Sequence, residues 1–269
     1  MSGDQNLKEK FISILGEDAW DPNWETVQRL SPELLDASID LLHVPKKKNY
    51  LSAKVQQLIA IAVDSSSTHL YLPGIQQHIK LALKAGATTR EIMEVIELTS
   101  TLGIHACNVG VPLLVDVMKE AGIYDCHPYA GKPFDEQREA LKTEFTKKRG
   151  YWHRTWEEFL ALDPEFFKAY LEFSSVPWTK DVNGFQGGGA LEPKVKEMIY
   201  CAFDAAATHL YVPGLRLHMV NVLKYGGTPE EILGVLEIAT QLSVHTAHAA
   251  APILEELIGR TDEHGDTYV

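Results

Sequence analysis

Thr68-His69-Leu70-Tyr71-Leu72-Pro73-Gly74-Ile75-Gln76-Gln77-His78 is written again as Thr208-His209-Leu210-Tyr211-Val212-Pro213-Gly214-Leu215-Arg216-Leu217-His218. His209 follows His69, and His218 follows His78, by 140 residues. The match extends outward over residues 54–114 and 194–254, where 24 of 61 positions are identical. A period of this kind marks one structural unit used twice. Each copy reads as three helices. The first runs over about 51–68 or 191–208. The second opens at the Pro-Gly and stops at Gly86 or Gly226, glycine being suited to the residue after a helix. The third is announced by Thr228-Pro229-Glu230-Glu231, a capping threonine, a proline at the first turn and a glutamate three residues on. Apolar Ile232, Val235, Leu236, Ala239 and Leu242 then recur at helical spacing.

A second, looser echo precedes each copy. Trp24-Glu25 returns as Trp156-Glu157, and Ser31-Pro32 as Asp163-Pro164, at an offset of 132 residues. Both dipeptides place a capping side chain before a helical proline, and the helices run on to Val44-Pro45 or Val176-Pro177. The offset grows to 140 because of the glycine-rich run at 183–189, read as a flap or linker, since it lacks the Lys-Ser/Thr of a phosphate-binding loop. Residues 120–150 read as a linker and the tail from Thr261 as disordered. Strand signals are nearly absent. The expected fold is all-α, two tandem pseudo-symmetric helical units, at 1–132 and 133–269.

The 269 residues are 45% hydrophobic, enough for a large core, and carry a net charge of −12. That charge disfavours nucleic acid and anionic membranes as partners; Lys46-Lys47-Lys48 reads as a solvated loop. Cys107, Cys126 and Cys201 are odd in number and widely spaced, which fits a reducing, cytoplasmic setting. The N-terminus is polar and shows no apolar targeting segment. The apolar stretch Leu98–Met118 contains His105, Asn108, Pro112 and Asp116, and a buried helix explains it better than a membrane span.

The chemistry-bearing residues cluster around the repeated stretch. Glu197, Asp204 and Thr208 fall along one line of the first helix of copy two. His209 and His218 flank the Pro-Gly turn, and His245 and His248 share a face of the third helix at i and i+3. Copy one keeps His69, His78, His105 and Tyr71, but holds Gln57, Gln76 and Asn108 where copy two has Glu197, Arg216 and His248. The site is therefore expected in copy two, and Asp64 and Asp204 are read as structural. Histidines and a carboxylate are metal-ligand types, but no HExxH or Glu-x-x-His pair is present. Metal-free acid–base chemistry is the preferred reading.

The core unit resembles the carboxymuconolactone decarboxylase family, which shares its helical unit with alkylhydroperoxidase D-like proteins. The residues that carry the resemblance are His218 to Gly226, Gly226-Gly227-Thr228-Pro229-Glu230-Glu231-Ile232 and Val235-Leu236-Glu237, with His78 to Gly86 and Gly86 to Ile92 in copy one. The peroxidase branch carries Cys-x-x-Cys-x-x-x-His. Tyr211 and Gly214, or Tyr71 and Gly74, stand at the cysteine positions here. The decarboxylase branch carries His-x-Arg, where this chain has Val220 or Lys80.

The resemblance implies an oligomer of rings, here a trimer or hexamer-like ring of the chain. The leading function is decarboxylation, or a related proton transfer, on a small carboxylated or carbonyl substrate with no cofactor. His218 is expected as general acid/base, Glu197 as its orienting partner, and His209 and His245 as polarising donors. Tyr211, Arg216, His248 and Thr208 are expected to hold substrate. A thiol peroxidase and a metal-binding or non-catalytic scaffold are the alternatives.

Overall fold

The computed structural model describes residues 3–179 and 189–264, with side chains over 7–178 and 189–259. Among these the chain is helical without strands, as expected. Helices α1 (Gly3–Leu15), α2 (Pro22–Leu30) and α3 (Pro32–Lys48) lead into copy one: α4 (Ala53–Ser65), α5 (Leu72–Lys84), α6 (Thr89–Thr99) and α7 (His105–Glu120). Then come α8 (Glu136–Arg149), α9 (Thr155–Leu162) and α10 (Pro164–Thr179), followed by copy two: α11 (Pro193–Ala205), α12 (Val212–Lys224), α13 (Pro229–Thr240) and α14 (His245–His264). Each copy thus has four helices, not three. The expected third helix is broken by a 3₁₀ turn at Ser100–Ile104 or Gln241–Val244.

Other boundaries differ for local reasons. α11 stops at Ala205, so Thr208 and His209 lie in the following turn, not on the helix. The chain turns back because the Tyr211 N–H donates to the Asp204 carbonyl at 2.9 Å, with Leu210 at φ 51°. Tyr71, Asp64 and Leu70 (φ 47°) repeat the arrangement. A left-handed leucine costs about 1–3 kcal/mol, which the surrounding packing must supply. The stretch read as a linker contains α8, capped by Asp135 on the Arg138 N–H and ended by Gly150 at φ 75°. The tail is helical to His264. Ser31 makes no side-chain cap bond, whereas Asp163 accepts the Phe166 N–H at 2.9 Å. The capping box of Thr228 and Glu231 is formed as read. Most of the glycine-rich run, 183–188, lies outside the described residues.

The chain packs as two compact units: residues 1–88 with 197–269, and residues 89–196. Neither is one whole repeat copy. The division at 132 and 133 describes the sequence repeat, while the packing divides the chain elsewhere.

In the first unit, α1, α2 and α3 enclose Phe11, Trp24, Val27, Leu35 and Ile39 together with Val244 of copy two. α14 lies along α2, where Arg29 and Thr26 hold Glu255 at 2.6 and 3.0 Å. α13 packs on α4, and Gly234 comes close to Tyr50 and Leu51. Copy two's last helices therefore cover copy one's first.

The second unit is built around Ile104, Phe145, Trp156, Leu160 and Phe167. Each such side chain stabilises the fold by roughly 1.5–3 kcal/mol on burial. Arg138 is buried and donates to the Leu160 and Ala161 carbonyls at 3.1 Å. Glu94, fully buried, accepts the Leu191 N–H at 2.9 Å and faces the Lys196 ammonium at 3.5 Å. Residues Thr89–Glu120 are long and apolar enough to cross a membrane by length and composition alone. Within this unit α6 buries Ile92, Val95 and Leu98, but α7 exposes Val109, Leu113, Leu114 and Val117. The expected burial of Leu98–Met118 holds for its beginning and, further on, for Val115.

Candidate functional site

α4 and α5 pair closely in the first unit and carry the copy-one stretch between them. Asp64, near the end of α4, is 1% exposed, and its carboxylate lies against the start of α5. A Cβ on Gly74 would stand 2.0 Å from Asp64 Oδ2 and 2.7 Å from Tyr71 Cδ1. Only glycine fits there, which explains the Pro-Gly of both copies; Gly214 meets Asp204 Oδ2 at 2.3 Å in the same way.

His245 and His248 join copy one, not His218. His245 stacks on the Tyr71 ring, with centroids 4.0 Å apart and planes 13° from parallel. Its Nδ1 lies 2.9 Å from His69 Nε2 and 3.6 Å from Asp64 Oδ1. The Tyr71 hydroxyl is hydrogen-bonded to His248 Nδ1. His248 Nε2 lies 2.9 Å from Asp21 Oδ2, and its ring packs on Trp24. Asp21 caps α2, accepting the Asn23 and Trp24 N–H groups. The result is a relay, Asp21–His248–Tyr71, drawn from α2, α14 and the α4–α5 turn. A carboxylate can only accept, so His248 Nε2 carries the proton and Nδ1 faces the phenol.

His78, on α5, lies with its Nδ1 2.7 Å from the Gln57 Oε1 and its Nε2 3.7 Å from Asp64 Oδ2. The amide oxygen accepts, so Nδ1 carries the hydrogen and Nε2 is the basic nitrogen. Tyr71, His78, His245 and His248 line a cavity of about 620 Å³, shared with Trp20, Asp21, Gln57 and Lys80. That volume suits a small molecule.

Burial governs the electrostatics. It pushes the Asp64 carboxyl up to about 8 and His78 down to about 4. His245 goes down to about 3, through burial and then the neighbouring imidazoles His69, His78 and His248. Burial also lowers His69, and it raises Tyr71 with help from the charges of Asp21 and Asp64. Burial pushes Asp21 up, but the hydrogen bond and charge of His248 and the two capping N–H groups hold it below its ordinary value. At neutral pH, then, His78 and His245 are neutral imidazoles. The ordinary imidazole value near 6.5 does not apply to them.

Of the residues expected to form the site in copy two, His245 and His248 line this cavity and the others do not. His218 Nδ1 and Glu197 Oε2 are 2.6 Å apart, as expected, but the pair is buried beneath the Tyr200 ring and beside Asn221. Neither lines the cavity. Thr208 and Arg216 are exposed. His209 is half-buried, lies 6.1 Å from the Tyr211 ring, and is lowered by burial. His105 opens α7 in the other unit. The cluster around the cavity stands on copy one's stretch, whereas the sequence expectation placed the site in copy two. In the sequence repeat the counterpart of His248 is Asn108 and, at the 132-residue offset, the counterpart of Asp21 is His153. Sequence reading missed Asp21, whose signal was its place before Pro22 as a helix cap, and it took Asp64 as structural. The three cysteines are free, and burial raises the Cys107 and Cys201 thiols, which disfavours thiolate chemistry.

An all-helical chain with this histidine and turn pattern has a defined kinship. The carboxymuconolactone decarboxylase family profile matches residues 32–108, which include Asp64, His69, Tyr71 and His78. The crystal structure of a "putative gamma-carboxymuconolactone decarboxylase subunit" from Burkholderia xenovorans LB400 is 46% identical. It covers 97% of this chain and 99% of that one, with a TM-score of 0.88. No curated protein matches the chain. The chain belongs to the carboxymuconolactone decarboxylase family.

Proposed function

We propose that the chain is a decarboxylase of small lactone or carbonyl acids and that the cavity beside copy one is its active site. The observation that carries this reading is the Asp21–His248–Tyr71 relay opening into that cavity. Loss of CO2 leaves the electron pair of the broken C–C bond in a conjugated enolate, which must be protonated at carbon. With His248 in its imidazolium form against Asp21, Nδ1–H donates to Tyr71 Oη and frees the phenol proton for the cavity. The carbanion takes that proton, Tyr71 takes one from His248, and His248 is left neutral to be recharged from solvent. Neutral His78 and His245 flank the reacting carbon. Lys80 stands where the decarboxylase relatives carry the arginine of His-x-Arg, and it holds a carboxylate that is not lost.

The chain's setting in this reading is cytosolic, and its partners are copies of itself. α7 exposes Val109, Leu113, Leu114 and Val117, and α14 exposes Ile253, Leu254, Leu257 and Ile258. Light scattering tests a trimer or hexamer-like ring.

The catalytic test compares Tyr71→Phe and His248→Gln with His218→Gln on gamma-carboxymuconolactone and related lactone acids. The first two are expected to lower kcat by about 10²–10⁴-fold, the usual worth of a positioned acid or base, and the third to stay within a few-fold. Equal loss in His218→Gln, or full activity in the first two, sinks the copy-one assignment.

A further inference from the structure

We infer that Asp64, His69 and His245 form a binding site for a divalent transition-metal ion, zinc being the best match. Their ligand atoms lie within 4.8 Å of one another. The three edges of the triangle are 2.9 Å (His69 Nε2 to His245 Nδ1), 3.6 Å (His245 Nδ1 to Asp64 Oδ1) and 3.9 Å (His69 Nε2 to Asp64 Oδ1). Zinc bonds of about 2.0–2.1 Å at tetrahedral angles put neighbouring ligand atoms about 3.3 Å apart. The triangle is therefore close to one face of such a tetrahedron, and the fourth position is left to water. Two imidazoles and a carboxylate are the borderline donor set that zinc takes, and calcium or magnesium does not.

A second observation is independent of this spacing. Asp64 is 1% exposed, yet its Oδ2 has no hydrogen-bond donor. His78 Nε2 lies 3.7 Å from it, beyond hydrogen-bond distance. Burial without a bonded partner disfavours the ionised form of the Asp64 carboxyl, and a bound cation supplies the compensating charge. The ring planes are also held in advance, since Tyr71 stacks on His245 and His245 on His69. Fixed ligand orientation of this kind is what tight sites require.

No ligand spacing in the sequence announces the site. Asp64 lies near the end of α4, His69 lies in the turn after it, and His245 comes from copy two, 176 residues after His69. The site shares His245 with the proposed active site but does not depend on the decarboxylation reading, and it is tested without turnover. Untagged protein, stripped with a chelator, is titrated with zinc by calorimetry and with cobalt(II) by visible absorption. The expected result is uptake with an intense tetrahedral cobalt spectrum. In Asp64→Asn and His69→Gln the loss of affinity is expected to exceed the roughly 10–100-fold that an outer-shell partner costs, with the loss of one bound ion per chain. His69 is partly open to solvent, so its variant serves if Asp64→Asn does not fold. No uptake by the wild-type chain overturns the site, and so does undiminished uptake by folded variants.

Discussion

Asp204 offers a direct measurement of what burial does to a carboxyl in this fold. It is fully buried, and burial, followed by the charge of Glu197, pushes its pKa from 3.8 to about 8. The folded chain therefore keeps this proton to about pH 8, while the unfolded chain releases it near 3.8. Between those values the folded state binds more protons, so stability falls as pH rises. The slope is about 1.4 kcal/mol per pH unit from this one group. Over about four units the change is on the order of 5 kcal/mol, comparable to the whole stability of many domains. Below pH 4 both states are protonated and the contribution is complete. Above pH 8 both are ionised and the slope vanishes.

Asp204→Asn keeps the shape but has no proton to lose. Its unfolding free energy, relative to the parent, is expected to climb by about 1.4 kcal/mol per unit between pH 4 and 8 and then level. Urea titrations of both chains at fixed protein concentration, in chelator, measure this difference at each pH. A difference that stays flat from pH 5 to 8 refutes the reasoning, because it would mean that Asp204 ionises in the folded chain near its ordinary value.

Gly74→Ala places a methyl 2.0 Å from Asp64 Oδ2 and 2.7 Å from the Tyr71 ring. A loss of at least about 1–3 kcal/mol is expected from overpacking, and Gly214→Ala is expected to behave alike, both read by thermal unfolding. Glu94→Ala leaves the fully buried Lys196 ammonium without its carboxylate and the Leu191 N–H without its acceptor. About 3–5 kcal/mol is the expected cost. Melting within a degree or two of the parent would show that this pair carries no such weight.

The repeat, the helical class and the family were legible in the amino-acid order. Helix periodicity, proline and glycine punctuation and the capping box at Thr228 depend on residues a few positions apart, and local rules reach that far. The special role of the His-Leu-Tyr-x-Pro-Gly stretch was legible too, because Gly74 and Gly214 are demanded by a carboxylate ten residues earlier. Which side chains gather around each copy was not. Comparing the copies side by side credits copy two with Glu197, Arg216 and His248, as if each copy kept its own residues. Packing assigns them otherwise. α14 folds back onto α2 and α4–α5, so His245 and His248 serve Tyr71, His69 and Asp64. Glu197 and His218 instead satisfy one another in the interior. Asp21 enters only because α14 lies along α2. These pairings join residues 176 to 227 positions apart. Their partners are chosen by which apolar faces bury against which, and that choice is made in three dimensions.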